Sequence, residues 1–135
     1  MSSLISIVGA GPGDPELLTI KALKRIQEAD CILHDALVSE EILNLAKPTA
    51  RRIYVGKIYK DGQDQTDRQE WINQLIIELA GKGQKIVRLK SGDPMIFGRG
   101  AEEIRFCIGN GLNYEAVPGV TSALGAASLY GIPLT

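Results

Sequence analysis

Short runs of apolar and β-branched residues recur along the chain, and each run ends near a glycine, a proline or an aspartate. Runs of this length and composition, stopped by residues that favour turns, are typical of β-strands. The pattern predicts strands at Ile5–Val8, Cys31–His34, Ile53–Val55, Lys85–Leu89 and Tyr114–Val117.

The segments between these strands carry apolar residues at helical spacing. The first helix begins either at the Asp14–Pro15 pair or at Thr19, since both are favourable starts. A capping box that begins at Thr66 opens the clearest helix, which stops near Gly81. The other predicted helices are Glu40–Leu45, Ala101–Cys107 and Thr121–Leu129.

Alternating strands and helices imply parallel βαβ units. We therefore expect one α/β domain over residues 1–135, with a three-layer arrangement: an open, mainly parallel five-stranded sheet with helices on both faces. In such sheets, ligands bind beyond the carboxyl ends of the strands. Glycine-rich segments and Asp35 follow the predicted strands, so this edge is the expected binding site.

Composition narrows the classes of protein. Hydrophobic residues make up 44% of the chain, which is enough for a packed core, and 15 Lys+Arg against 16 Asp+Glu argue against a strongly basic nucleic-acid binder. No apolar run approaches the roughly 20 residues of a membrane span. Without a recognisable signal peptide, we expect a cytoplasmic protein in which Cys31 and Cys107 are reduced. Two cysteines cannot make a zinc site alone, and no metal site is expected.

The first glycine-rich segment is Gly9–Asp14, directly after the first strand. It is similar to a dinucleotide-binding loop, but Asp14 stands where that loop has its third glycine. An aspartate there disfavours pyrophosphate, and Pro12 removes an amide that could bind phosphate. The segment therefore predicts a loop that contacts a neutral or cationic group, or else a tight turn without a ligand.

The second glycine-rich segment is Ser91–Gly100, after the fourth strand. Asp93 is expected either to hydrogen-bond backbone amides or to accept from a ligand amine. Arg99 could bind a carboxylate through two hydrogen bonds. The alternative is an Asx-type turn followed by a surface arginine.

Further candidates follow the remaining strands. Thr121 and Ser122 have the residue types of helix caps. Asp35 could act as a general base, interact with a cation, contact a ribose hydroxyl in a dinucleotide protein, or cap a turn. We interpret His34 as a packing residue, whereas Lys57 is either solvated or part of the same rim.

Taken together, these segments resemble the tetrapyrrole methylase family, and the resemblance runs from Ile5 to Thr135. The segments that carry it are Val8–Asp14 with Leu17–Thr19, Asp35–Ser39, Val55–Lys57, Val87–Lys90, Gly92–Pro94, Phe97–Gly100, Val117–Thr121 and Gly131–Thr135. Asp35–Ser39 and Gly92–Gly100 point more narrowly to the members that methylate uroporphyrinogen III on carbon.

The resemblance implies S-adenosyl-L-methionine as the cofactor and methylation of uroporphyrinogen III at C2 and C7. The product would be precorrin-2, on the route to sirohaem and cobalamin. It also implies a homodimer of two-domain chains, in which residues 1–135 correspond to the N-terminal domain. Because a C-terminal domain would complete the cofactor cleft, little or no turnover is expected from these residues alone.

Carried over position by position, the resemblance also implies roles for individual residues. Cofactor contacts are implied for Pro12, Ser91, Gly92, Asp93, Ile96, Thr121 and Ser122. Asp35 corresponds to the proton acceptor and Lys57 to the proton donor, and Arg99 is expected to bind the substrate's carboxylates. Ser91 departs from the glycine usual in this subfamily, and His34 replaces a frequent tyrosine.

Three alternatives remain open at the level of sequence. One is a methylase of the same family that acts on a later corrin precursor. Another is an NAD-type dinucleotide-binding module, which Pro12 and Asp14 disfavour. The third is a non-catalytic dimerisation fragment, with Trp71 and the last helix at its interface.

Overall fold

The computed structural model of the chain describes residues 4–56, 65–95, 100–121, 131 and 133. The strands are β1 (Leu4–Gly9), β2 (Cys31–His34), β3 (Arg51–Tyr54), β4 (Ile86–Lys90) and β5 (Asn113–Val117). The α-helices are α1 (Ile20–Glu28), α2 (Glu40–Leu43), α3 (Gln65–Gly81) and α4 (Gly100–Gly109), and a short 3₁₀ helix (Pro15–Leu17) precedes α1. Every predicted strand is present, with small shifts at its ends.

The strands form one sheet in the order β3-β2-β4-β1-β5, and all neighbouring pairs are parallel. Ile86 in β4 lies opposite both Ile5 in β1 and Cys31 in β2. The expected open parallel sheet is therefore confirmed. Since the strands are parallel, all of their carboxyl ends meet at one edge of the sheet.

Helices cover both faces of the sheet, as predicted. Successive residues of a strand point to opposite faces, so Ile86 and Val87 belong to different core clusters. The cluster around Val87 contains buried residues of α1 and α2, among them Ala22, Ile26, Ile42 and Leu43. The cluster around Ile86 contains buried residues of α3 and α4, namely Ile72, Ile76, Leu79 and Cys107.

Both predicted starts of the first helix are used. The Asp14 carboxylate accepts a hydrogen bond from the Glu16 N–H at 2.9 Å and caps the 3₁₀ helix. The Thr19 hydroxyl accepts from the Ala22 N–H at 3.1 Å and caps α1. The chain therefore passes from the end of β1 into α1 through two successive capped segments.

Three predicted helices differ from the structure at their ends, and one of them is α4, which runs from Gly100 to Gly109 instead of from Ala101 to Cys107. Helix α3 begins at Gln65, so Thr66 lies within its first turn rather than before it; a periodic pattern defines helix ends least well. Helix α2 ends at Leu43 rather than Leu45, because the Leu45 N–H bonds the Ile42 carbonyl and tightens the last turn.

The predicted helix at 121–129 lies outside the described residues except at Thr121. None of the helices in the described part of the chain is long and apolar enough to cross a membrane.

Candidate functional site at the carboxyl edge of the sheet

The carboxyl edge of the sheet gathers the described candidate residues. Pro12, Ser91 and Thr121 lie in the loops that follow β1, β4 and β5, respectively. Asp35 directly follows β2, and Gly56 lies just beyond β3. Residues that are far apart along the chain therefore share one edge, as the parallel topology requires.

Three of these loops, residues 9–13, 91–95 and 118–121, touch through their main chains and form the glycine-loop junction. The Gly11 N–H donates to the Gly92 carbonyl at 3.1 Å, and the Gly92 N–H donates to the Gly11 carbonyl at 2.9 Å. Gly11 and Gly92 have φ of 70° and 68°, a conformation that other L-residues adopt only with strain. This reciprocal pair therefore requires glycine at both positions.

The loops of the junction also lie too close together for side chains. A Cβ atom on Gly9 would lie 2.5 Å from the Gly92 oxygen and 2.8 Å from the Gly119 nitrogen. A Cβ atom on Gly119 would lie 2.4 Å from the same Gly92 oxygen. The close approach of the three loops therefore excludes side chains at positions 9 and 119.

The side chain of Asp93 links two loops of the junction. Its Oδ1 accepts from the Met95 N–H at 2.9 Å, and its Oδ2 accepts from the Gly119 N–H at 3.1 Å. The first bond closes an Asx-type turn, and the second joins the loops after β4 and β5. Of the two roles expected for Asp93, the structure shows the hydrogen bonds to backbone amides.

The structure brings together the described residues to which cofactor contacts are assigned. These are Pro12, Ser91, Gly92, Asp93 and Thr121. The other candidates, Lys57, Ile96, Arg99 and Ser122, lie outside the described residues, and the roles of all the candidate residues stay predictions.

Asp35 lies beside a second feature, a cavity of about 400 Å³ at the ends of β2 and β3 that we call the charged cavity. The Asp35 Oδ1 accepts from the Leu37 N–H at 3.0 Å, which holds the carboxylate at the rim. Arg68 and Arg88 line the same cavity, together with Tyr54 and Gly56. One carboxylate and two guanidinium groups therefore face a common space.

His34 has packing partners instead of a place in the cavity lining. Its ring meets Tyr54 edge-on, with ring centroids 5.9 Å apart and an angle of 73° between the planes. Its Nδ1 lies 3.2 Å from the Asp35 carbonyl oxygen. These contacts support the interpretation of His34 as a packing residue that helps to shape the turn at Asp35.

Sequence reasoning missed a buried cluster of charges next to the charged cavity. Glu103 Oε1 lies 3.2 Å from Arg88 Nε and 3.2 Å from Lys90 Nζ. The three residues are only 1%, 5% and 9% exposed, respectively. The available signal was the alternation of cationic and apolar residues in β4, which places Arg88 and Lys90 on one face. Their partner comes from α4, and no local pattern indicates it.

The buried cluster and Asp35 are electrostatically linked. Burial lowers the pKa of Lys90, because the ammonium group loses hydration. The charges of Glu103 and Asp35 act in the opposite direction and favour the ammonium form. Lys90, the last residue of β4, therefore lies within range of the Asp35 charge.

Both cysteines belong to the apolar core cluster around Ile86. Cys31 and Cys107 are buried free thiols, and burial raises the pKa of both. Within the ranges that the structure describes, no group of three or more histidine, cysteine, aspartate or glutamate side chains could hold a metal ion. We therefore place the two thiols in the core, as expected for strand and helix positions that face it.

Comparison with known proteins identifies the family. Residues 4–135 match the family model of Tetrapyrrole (Corrin/Porphyrin) Methylases. The chain belongs to this family. The resemblance drawn from the glycine-rich segments and from Asp35–Ser39 is thereby confirmed.

Individual members of the tetrapyrrole methylases are similar over nearly the whole chain. The uroporphyrinogen-III C-methyltransferase of Bacillus subtilis (strain 168) is 53% identical over 131 residues, which cover 97% of this chain and 50% of that protein. Siroheme synthase 1 of Aeromonas salmonicida (strain A449) is 52% identical over 131 residues, covering 97% of this chain and 27% of that protein.

A solved structure shows the same fold. The uroporphyrin-III C-methyl transferase from Thermus thermophilus, complexed with S-adenyl homocysteine, has a TM-score of 0.80 and 46% identity, covering 98% of this chain and 53% of that one. The chain thus spans about half the length of these methyltransferases and 27% of the siroheme synthase.

Proposed function

We propose that this chain forms the cofactor- and tetrapyrrole-binding part of an S-adenosyl-L-methionine-dependent methyltransferase. The proposed reaction is methylation of uroporphyrinogen III at C2 and C7, which gives precorrin-2. The observation that carries the proposal is the 53% identity with the Bacillus subtilis uroporphyrinogen-III C-methyltransferase over 97% of this chain. The glycine-loop junction and the charged cavity supply two adjacent places for the two reactants.

The glycine-loop junction fits this cofactor better than a dinucleotide. Pro12 has no N–H to donate to a phosphate, and the Asp14 carboxylate occupies the start of the 3₁₀ helix. Negative charge there disfavours a pyrophosphate, whereas carbonyl and hydroxyl oxygens suit sulfonium and ammonium groups. We assign the cofactor contacts to Pro12, Ser91, Gly92, Asp93, Ile96, Thr121 and Ser122.

The chain's contribution to catalysis is alignment and proton transfer. When bound, the cofactor supplies an electrophilic methyl group on a positively charged sulfur. The junction and the charged cavity share β4, so they hold the two reactants side by side, and alignment of this kind lowers the barrier to displacement. Methyl transfer to a fully substituted ring carbon leaves positive charge on the tetrapyrrole, and Asp35, held by the Leu37 N–H, is the proposed acceptor of the proton that the macrocycle then loses at another position. Lys57 is the proposed proton donor.

The substrate is expected to be held by positive charge at the same edge. Uroporphyrinogen III carries carboxylate side chains around its macrocycle, and Arg99 is the proposed partner of at least one of them. Because a guanidinium can bind a carboxylate through two hydrogen bonds, it fixes orientation as well as affinity. Placement of the ring against Asp35 then follows from where its carboxylates are held.

The proposal includes a second domain and a second copy of the chain. The similar methyltransferases are about twice as long as this chain. We propose that a further domain covers the glycine-loop junction and completes the cofactor cleft, and that the complete enzyme is a homodimer. Residues 1–135 alone should then bind the cofactor weakly and turn over little or no substrate.

The proposal is tested by titrating the ¹⁵N-labelled chain with S-adenosylhomocysteine and, separately, with NAD, while following backbone amide shifts. Shifts at Gly11, Gly13, Gly92 and Thr121 with S-adenosylhomocysteine alone are the expected result. Shifts at these positions with NAD alone would contradict the proposal in favour of a dinucleotide-binding module.

A chain that responds to neither ligand is tested in a longer form. A chimera that joins residues 1–135 to the second half of the Bacillus subtilis relative supplies the missing wall of the cleft. Binding of S-adenosylhomocysteine by the chimera supports the proposal. Silence of the folded chimera toward this ligand would contradict it.

A further inference from the structure

The guanidinium of Arg88 is buried but has an unused hydrogen-bond donor. Only 5% of the residue is exposed, and its Nε donates to Glu103 at 3.2 Å. Its Nη1 atom is buried and has no hydrogen-bond partner among the described residues. Arg88 also lines the charged cavity, so this cationic group borders a space that a ligand can enter.

An unpaired hydrogen-bond donor on a buried charged group raises the free energy of the folded chain. In the sheet, Arg88 lies between Ile7 of β1 and Leu33 of β2, where an apolar side chain would pack without any polar requirement. A buried donor that lacks a partner has lost its hydration without a compensating hydrogen bond, and the loss is larger for a charged group. No described residue supplies a partner for this donor, so the position suits a group that a ligand brings.

The charges around the cavity indicate what kind of partner this is. The cavity lining and the buried cluster contain three cations, Arg68, Arg88 and Lys90, against two carboxylates, Asp35 and Glu103, among the described residues. The excess is positive, and it is shielded from water at Arg88 and Lys90. An anionic group would balance it, and a carboxylate matches the geometry of a guanidinium.

We propose that the guanidinium of Arg88 binds a carboxylate of the tetrapyrrole substrate at the charged cavity. Glu103 is a positioning residue, because its bond to Nε holds the guanidinium plane. The inference rests on the proposed function, and adds to it a second carboxylate contact besides Arg99. The contact lies on the same side of the junction as Asp35, so it would orient the ring that reacts.

The test measures the affinity of the folded chain for uroporphyrin III, the stable oxidised form of the substrate, by quenching of porphyrin fluorescence. Arg88→Met removes the charge and keeps a long apolar stem, and it should weaken uroporphyrin binding at least about tenfold. Arg105→Met is the matched control, since Arg105 is exposed on α4, and it should change the affinity less than about twofold. S-adenosylhomocysteine affinity should be the same in all three chains.

Glu103→Gln tests the positioning role. The amide oxygen can still accept from Arg88 Nε, so the variant should lose less uroporphyrin affinity than Arg88→Met, and Glu103→Ala should lose more than Glu103→Gln. Equal affinities in Glu103→Gln and Glu103→Ala would overturn the positioning role. If Arg88→Met does not fold, the Arg88 Nε–H resonance of the wild-type chain is followed instead, and no shift on adding uroporphyrin III would overturn the contact.

The outcomes separate this inference from the proposed function. Unchanged uroporphyrin affinity in folded Arg88→Met overturns the carboxylate contact alone. A wild-type chain that binds S-adenosylhomocysteine but not uroporphyrin III also overturns this contact, and leaves the cofactor site standing. A chain and chimera that bind neither ligand overturn the proposed function together with the contact.

Discussion

The glycine-loop junction is held together largely by main-chain atoms, whereas the charged cavity on the other side of β4 is lined in part by charged side chains. In the junction, Gly11 and Gly92 exchange backbone hydrogen bonds at 3.1 and 2.9 Å. In and beside the cavity, the close contacts are between ionised side chains, such as Arg88 and Glu103 at 3.2 Å. The junction therefore depends on close main-chain packing, and the cavity depends on the balance of charged side chains.

This difference matches the two different ligands that the proposed function assigns to the two regions. A junction of backbone groups is shaped by steric fit and recognises a ligand by its outline and by carbonyl and amide contacts. A cavity with excess positive charge recognises a ligand by its anionic groups. The first property suits a cofactor of constant structure, and the second suits a carboxylate-bearing substrate, which is how the proposed function assigns them.

The largest expected effect is a loss of methyl-transfer rate when Asp35, at the rim of the charged cavity, is substituted. Asp35→Asn in the chimera should lower the rate of methyl transfer by roughly 10²- to 10⁴-fold, the usual contribution of a general base. Asparagine keeps an oxygen for the Leu37 N–H, so the turn should survive. Initial rates of methyl transfer check the prediction, with Glu41→Gln as the control because Glu41 is exposed on α2. An unchanged rate would remove Asp35 from the role of proton acceptor.

The next effect tests whether the buried charges depend on one another. Glu103→Ala leaves Arg88 and Lys90 without their shared carboxylate, and should lower the free energy of unfolding by about 3–5 kcal/mol. The matched control is Glu40→Ala, which breaks the exposed ion pair with Arg52 and should cost less than about 1 kcal/mol. Urea unfolding measures both. Similar losses in the two variants would show that burial does not strengthen the cluster.

A smaller loss of stability is expected from the junction. Gly119→Ala places a Cβ atom 2.4 Å from the Gly92 oxygen, and should lower the free energy of unfolding by about 1–3 kcal/mol through overpacking. Gly109→Ala is the control, because a Cβ atom there meets nothing within 4 Å and alanine favours the helix. Equal stability of the two variants in urea would show that the loops separate easily.

The smallest effect is a pH dependence confined to the charged cavity. The pKa of Lys90 is lower in the folded chain than its ordinary value of 10.5, since burial disfavours the ammonium. Between the two values the unfolded chain binds the proton and the folded chain does not, so the stability contributed at Lys90 rises with pH through that window. The free energy of unfolding, measured from pH 7 to 10, should therefore rise in the wild type relative to Lys90→Met.

Lys82→Met is the control for this pH dependence. Lys82 lies just beyond α3, and its side chain is 56% exposed. The difference in free energy of unfolding between Lys82→Met and the wild type should stay constant over the same pH range. A level difference for Lys90→Met as well would mean that the ammonium keeps its hydration in the folded chain.

Much of the fold could be predicted because its signals are local. Alternation and glycine stops located each strand, and Thr19 was one of two predicted helix starts. The helix boundaries at Thr66 and Leu45 were wrong, because helix ends are set by individual hydrogen bonds that periodicity does not report. The placement of Asp35 at the binding edge followed from the parallel topology alone.

The site was predictable in its parts and not in its contacts. The glycine-rich segments and the candidate residues in them could be predicted. Positions that need glycine are recognisable from its clustering and spacing along the chain. The bond from the Gly119 N–H to Asp93 and the pairing of Arg88 with Glu103 could not be predicted. Each contact joins elements that are distant in sequence. The residue type of one partner does not predict which residue it will contact.

The order of strands and helices, the α/β class, the glycine-rich loops at the carboxyl edge and the family resemblance were all contained in the chain's local patterns. The strand order β3-β2-β4-β1-β5 was not, and it places the loops after β1, β4 and β5 in one junction and the ends of β2, β3 and β4 around one cavity. Local propensities act over a few residues, whereas packing chooses which strands become neighbours. For that reason, the buried donor of Arg88 became visible only once β4 lay between β1 and β2 with α4 against it.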